Sequence, residues 1–122
     1  MLILVVDDDA PVCDLVATVL EDAGYQVMTA FDGRTALEVL DDLPSPPALI
    51  VLDLMLPQLT GIEVYTTLQQ NPPWNSIPVI VWTAVVPGED TLAALRGARI
   101  LQKPASVDVL LSAVAQIGGT PV

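Results

Sequence analysis

Leu2-Ile3-Leu4-Val5-Val6-Asp7-Asp8-Asp9 opens the chain with five apolar residues in a row, followed by three carboxylates. An unbroken apolar run, in place of an alternating one, predicts a strand buried on both faces, and with it a parallel sheet covered by helices on each side. The pattern returns at Ala48-Leu49-Ile50-Val51-Leu52-Asp53, where a second apolar run again stops at an aspartate. Just after the first run, Asp9 can cap a helix, and Pro11 suits a first turn because its missing N–H would have no partner there. Val12, Leu15, Val16, Val19 and Leu20 then recur as one apolar helix face, closed by Gly24 at the C′ position.

The rest of the chain extends this alternation. Residues 25–30 read as a second strand, and Asp32-Gly33 leads into a helix carrying Ala36, Leu37 and Leu40, stopped by Pro44-Ser45-Pro46-Pro47. After the strand at 48–52, a loop through Pro57 and Gly61 leads to a helix with Ile62, Tyr65 and Leu68 inside, closed by Asn71-Pro72-Pro73. Residues 78–82 form the fourth strand and end at Thr83, and Pro87-Gly88 opens a short helix around Leu92 and Leu95 that stops at Gly97. Residues 99–102 form the fifth strand and end at Lys103-Pro104, and Ser106 caps a last helix with Val107, Leu110, Leu111, Val114 and Ile117 on its core face. Five strands alternating with five helices predict an α/β, doubly wound parallel sheet with right-handed crossovers.

Composition bounds the function. At 122 residues and 52% hydrophobic content the chain is one domain with a buried core, spanning 1–118, with 119–122 as a tail or linker stub. Four basic against fifteen acidic residues give a net charge of −11, with Lys103 the single lysine. So few cations exclude phosphate-backbone and anionic-membrane binding, so neither nucleic acid nor membrane is expected as a partner. With no histidine, imidazole bases and imidazole metal sites are excluded. One cysteine, Cys13, allows no internal disulfide, and no apolar run approaches the ~18 residues of a membrane span. Together with the lack of a signal peptide, this predicts a soluble cytoplasmic domain.

In open α/β sheets, chemistry collects beyond the carboxyl ends of the strands. Here those ends carry Asp7, Asp8 and Asp9, then Asp53, Thr83 and Lys103. Each alone has a bland reading: a helix cap and solvated charge run, an Asx turn, a strand threonine, a surface lysine. Their joint placement at four strand ends favours a site. Clustered carboxylates call for a cation, and all-oxygen ligation points to Mg²⁺. A carboxylate nucleophile with a hydroxyl and an ammonium beside the metal is the equipment of phosphoryl transfer through an acyl phosphate.

Leu4-Val5-Val6-Asp7-Asp8-Asp9, Val51-Leu52-Asp53-Leu54-Met55-Leu56-Pro57, Gly61, Thr83-Ala84 and Lys103-Pro104 closely resemble the receiver domains of bacterial two-component response regulators, across residues 2–117. The resemblance implies a flavodoxin-like sheet of order 2-1-3-4-5. It implies Asp53 as phosphoacceptor, Asp8 and Asp53 as direct Mg²⁺ ligands, Asp7 as a ligand mainly through water, and the Met55 carbonyl as the remaining protein ligand. Thr83 would be the switch hydroxyl, and Lys103 would pair with the phosphoryl group. The partners implied are a sensor histidine kinase or phosphotransfer protein and a downstream output protein or domain. The domain would be a switch that catalyses its own phosphoryl transfer and weak self-dephosphorylation, not a metabolic enzyme.

Two positions depart from the family pattern. Ile100 stands where Tyr or Phe is common, and Ala105 where an aromatic commonly follows Lys-Pro. Being branched at Cβ, Ile100 has few χ1 states to switch between. The response is therefore expected in residues 85–89 and the short helix after them, read by a partner through Leu92, Leu95 and Ala105. The rival reading is a receiver-like interaction module that no longer cycles phosphate. A haloacid-dehalogenase-type hydrolase needs a second carboxylate where Met55 stands, and a flavodoxin needs a phosphate loop where three aspartates stand. Trp74 reads as a loop anchor, Trp82 as half-buried packing, and Cys13 as a small core residue.

Overall fold

A computed structural model describes residues 1–56, 59–84, 88–102 and 107–118. The strands are β1 (Leu2–Val6), β2 (Gln26–Ala30), β3 (Leu49–Leu52), β4 (Val79–Thr83) and β5 (Arg99–Gln102). The helices are α1 (Ala10–Asp22), α2 (Gly33–Asp42), α3 (Gly61–Gln69), α4 (Glu89–Ala94) and α5 (Val107–Gly118), with a single 3-10 turn at Trp74–Ser76. All four strand pairings are parallel and the order is β2-β1-β3-β4-β5, as the sequence implied.

Parity along the strands builds two cores. Leu4, Val6, Ile50, Leu52, Val79 and Val81 face α2, α3 and α4, and join Ala36, Leu40, Val64, Leu68 and Leu95. Ile3, Val5, Leu49, Val51, Ile80 and Trp82 face α1 and α5, and join Val16, Leu20, Leu110 and Val114. The central strands β1, β3 and β4 are buried almost throughout, so apolar residues are needed at every position.

The helix ends follow local chemistry. Asp9 caps α1, accepting from the Val12 N–H at 3.2 Å. Gly24 takes φ 102°, the left-handed turn that lets the chain leave α1 for β2. Asp32 caps α2, accepting from the Thr35 N–H at 2.7 Å and the Thr35 hydroxyl at 3.0 Å. These bonds, with a smaller contribution from the Arg34 charge, hold the Asp32 carboxyl below its ordinary value. Thr60 and Glu63 form a reciprocal capping pair at α3, with Glu63 N–H donating to the Thr60 hydroxyl at 3.3 Å.

Three expectations are corrected. Leu15 is 52% exposed, and α1 buries Cys13, Val16 and Leu20 instead. At about 100° per residue these three lie within a 60° arc, while Leu15 falls on the far side of the helix. Leu95 is buried beneath α4 and is not available to a partner, whereas Leu92 is exposed. Trp82 is fully packed in the α1/α5 core, where strand parity points it inward. Trp74, read as a loop anchor, begins the 3-10 turn and packs half-buried against the α2/α3 core, in keeping with that reading.

Candidate functional site

Register brings the acidic residues together. Val6 lies beside Leu52, so the residues that follow them, Asp7 and Asp53, leave the sheet side by side. The ladder runs one residue past the strands: the Asp7 N–H donates to the Ala30 carbonyl at 3.1 Å, and the Asp53 N–H to the Val6 carbonyl at 2.9 Å. Both aspartates are therefore fixed by backbone bonds at the sheet edge, and both are buried, at 3% and 5% exposure, while Asp8 is exposed.

Short bonds aim the carboxylates. Asp7 Oδ1 accepts from the Asp9 N–H at 3.0 Å, and Asp53 Oδ1 accepts from the Met55 N–H at 3.2 Å. The Cys13 thiol donates to the Asp7 carbonyl at 3.2 Å and ties the first turn of α1 to the end of β1. One oxygen each from Asp7, Asp8 and Asp53 lies within 4.8 Å of the other two. An octahedral Mg²⁺ with oxygens at about 2.1 Å spaces its ligands roughly 3 to 4 Å apart, so small side-chain rotations bring the three into range. Two buried carboxylates and one exposed suit a hard cation reached from solvent, and the residues present fit that ion.

The remaining predicted residues divide. Met55 is 61% exposed and lines, with Asp8, Leu54, Leu56 and Thr60, a cavity of about 340 Å³ open beside the carboxylates. Thr83 is fully buried at the end of β4, paired in register with Gln102. Lys103, with Pro57, Val85, Val86, Pro87, Pro104, Ala105 and Ser106, lies outside the described residues. Ile100 is half-buried against the α2–α4 core, beside Val81. Gly61 is dictated by close approach: a Cβ there would run into the Asp53 carbonyl oxygen and lie 2.6 Å from Leu54 Cα. The Gly61 N–H also donates to the Leu54 carbonyl at 3.1 Å, which draws α3 against the loop after β3.

Sequence reasoning missed two supports of the site. Cys13 was read as packing, but it also anchors the Asp7 backbone, six residues away. The Thr60-Gly61-Ile62-Glu63 capping pair was legible as a T-x-x-E signature at a helix start and went unread.

A profile of the response regulator receiver domain matches residues 3–115. The chain is 37% identical over 114 residues to the DNA-binding dual master transcriptional regulator RpaA of Synechocystis, covering 92% of this chain and 46% of that protein. It thus spans less than half the length of that regulator. Among solved structures, the receiver domain of the Francisella response regulator 1452 superposes with a TM-score of 0.83 at 32% identity, covering 96% of this chain and 95% of that one. Response regulator TrrA of Thermotoga maritima, solved in complex with Mg(2+)-BeF, superposes with a TM-score of 0.83 at 26% identity, covering 95% of this chain and 97% of that one.

Proposed function

This chain belongs to the response regulator receiver domain family, and from that premise we propose that it is a cytoplasmic switch of a two-component phosphorelay. It takes a phosphoryl group onto Asp53 from a histidine kinase or phosphotransfer protein. The observation that carries the reading is the meeting of Asp7, Asp8 and Asp53, one oxygen each within 4.8 Å, at the carboxyl edge of the sheet.

Asp8, Asp53 and the Met55 carbonyl would hold Mg²⁺, with Asp7 engaged mainly through water. Bound there, the ion supplies positive charge to the oxygens of the transferring group. Asp53 is the nucleophile: one of its carboxylate oxygens forms the new P–O bond as the P–N bond of the donor phosphohistidine breaks. The electron pair returns to the donor imidazole, which takes a proton from solvent. The Met55 N–H on Asp53 Oδ1 helps fix the orientation of that carboxyl. Lys103 is assigned to the phosphoryl charge and Thr83 to a hydrogen bond with a phosphoryl oxygen, which couples the site to β4 and α4. The chain catalyses its own modification and slow hydrolysis and turns over no metabolite. The output goes to a downstream protein or domain.

A second reading, an interaction module that no longer cycles phosphate, is favoured by Ile100, half-buried in the core where a moving ring is common. Incubation with acetyl phosphate and Mg²⁺ separates the two. A hydroxylamine-labile phosphoryl label that EDTA abolishes supports the switch, and no label on the folded protein supports the module.

A further inference from the structure

The flank of the molecule formed by α2 and α3, away from the carboxylates, carries two adjoining cavities of about 540 and 370 Å³. Three residues line both: Asp41, Asn71 and Trp74. Leu37 and Leu59 extend the first cavity toward the start of α3, and Pro44, Pro46 and Pro73 wall the second. The result is a continuous furrow with an apolar stretch, a rigid proline-walled stretch, and a polar junction between them.

The junction has a definite chemistry. Trp74 is half-buried, so it offers an aromatic surface held in place by the core behind it. Asp41 supplies a carboxylate at the rim, with Glu38 one turn before it along α2. The Asn71 Nδ2 gives one of its two N–H groups to the Thr67 carbonyl, and Oδ1 is the acceptor end of that amide. Two carboxylates, of Asp41 and Glu38, an amide oxygen and an indole face give the junction an excess of negative charge and a π surface. A guanidinium is the complement, being planar, donor-only and attracted to an indole face. Arg34, also on the lining, lies two helical turns from Asp41 and contributes to lowering the Asp32 carboxyl. The chain as a whole, at −11, attracts basic partners.

We infer that the α2–α3 furrow is a docking site for an arginine-bearing segment of a partner protein, with the guanidinium seated on Trp74 between Asp41 and Asn71. An aliphatic neighbour in that segment packs toward Leu37 and Leu59, and the chain continues over the prolines. Proline walls are already fixed in φ, so little ordering accompanies binding. The surface is separate from the phosphoacceptor edge, so docking there tethers a partner whatever the state of Asp53.

The test is an NMR titration of the 122-residue protein with the acetylated, amidated peptide Leu-Ala-Arg-Pro-Ala. Controls are the same peptide with Gln for Arg, and spermidine. Expected is saturable movement of the Trp74 indole N–H and the Asn71 side-chain amide, absent with the Gln peptide. Asp41→Asn should weaken binding about fivefold, and Trp74→Leu about two- to fivefold. Asp90→Asn, an acidic site on α4, should leave it unchanged. Asp41 is an exposed helix residue, so its variant reports even if Trp74→Leu is poorly folded. The inference is overturned by shifts spread evenly over the acidic surface, by equal binding of the Gln peptide, by spermidine reproducing the same shifts, or by equal losses in Asp41→Asn and Asp90→Asn.

Discussion

Neutralising Asp7 should make the metal-free protein more stable while removing its stabilisation by Mg²⁺. Asp7 and Asp53 are both buried, and each offers an oxygen within 4.8 Å of the other. Two unit charges at about that separation repel by about 3.5 kcal/mol at an effective dielectric of 20. Lys103, assigned to the same site, offsets part of this. The net gain expected from Asp7→Asn is therefore about 1–3 kcal/mol. For a domain of this size that is roughly 4 °C in Tm for each kcal/mol. Asparagine keeps the oxygen that accepts the Asp9 N–H, so the turn after β1 survives the substitution. The assay is thermal and urea unfolding of both proteins in EDTA and in Mg²⁺. Wild type should gain about 2.7 kcal/mol when Mg²⁺ reaches a hundredfold excess over Kd, and the variant should gain far less. A variant less stable than wild type in EDTA, or an equal Mg²⁺ shift in both, would refute the reasoning.

Gly61→Ala places a Cβ against the Asp53 carbonyl and Leu54 Cα, both backbone, so α3 or the loop must move. Unfolding should show a loss of about 1–3 kcal/mol, and calorimetry a weaker Mg²⁺ affinity. The Asp32 carboxyl titrates below its ordinary 3.8 because Thr35 hydrogen-bonds the charged form. Its contribution to stability is thus present above that value and lost as pH falls through the lower, folded one. The stability difference between wild type and Asp32→Ala should be full at neutral pH and shrink only in acid below 3.8, as pH-dependent unfolding would show. Thr83→Ala should still take up a phosphoryl group but lose the response to beryllofluoride in α4 amides, while Ile100 methyl shifts stay small in both proteins. Movement at Ile100 comparable to that in α4 would contradict this.

Strand identity was legible because burial on both faces leaves β1, β3 and β4 no choice but apolar residues, while the strand order came from the family resemblance. The acidic site was legible for a related reason, since carboxylates directly after such runs have no role in packing. What escaped reading depended on how wide an arc a neighbour covers. Apolar residues wrap more of α1 than the sheet and α5 bury, so the stripe drawn through Leu15 was too broad. α4 is only six residues long, and its apolar pair divides, with Leu95 inside and Leu92 outside. The α2–α3 furrow was invisible because it needs Asp41 and Trp74, distant in sequence, to meet across two helices. Trp74 alone beside two prolines carries no sign of that neighbour.

The proposed switch is tested most directly by asking whether Asp53, and not its acidic neighbours, is the residue modified. Borohydride reduces an acyl phosphate to an alcohol and so converts a phosphorylated aspartate to homoserine, which peptide mass spectrometry locates. After incubation with acetyl phosphate and Mg²⁺, homoserine is expected at position 53, and none anywhere in Asp53→Asn or in EDTA. Homoserine at 7 or 8 in wild type, or undiminished labelling of Asp53→Asn, would contradict it.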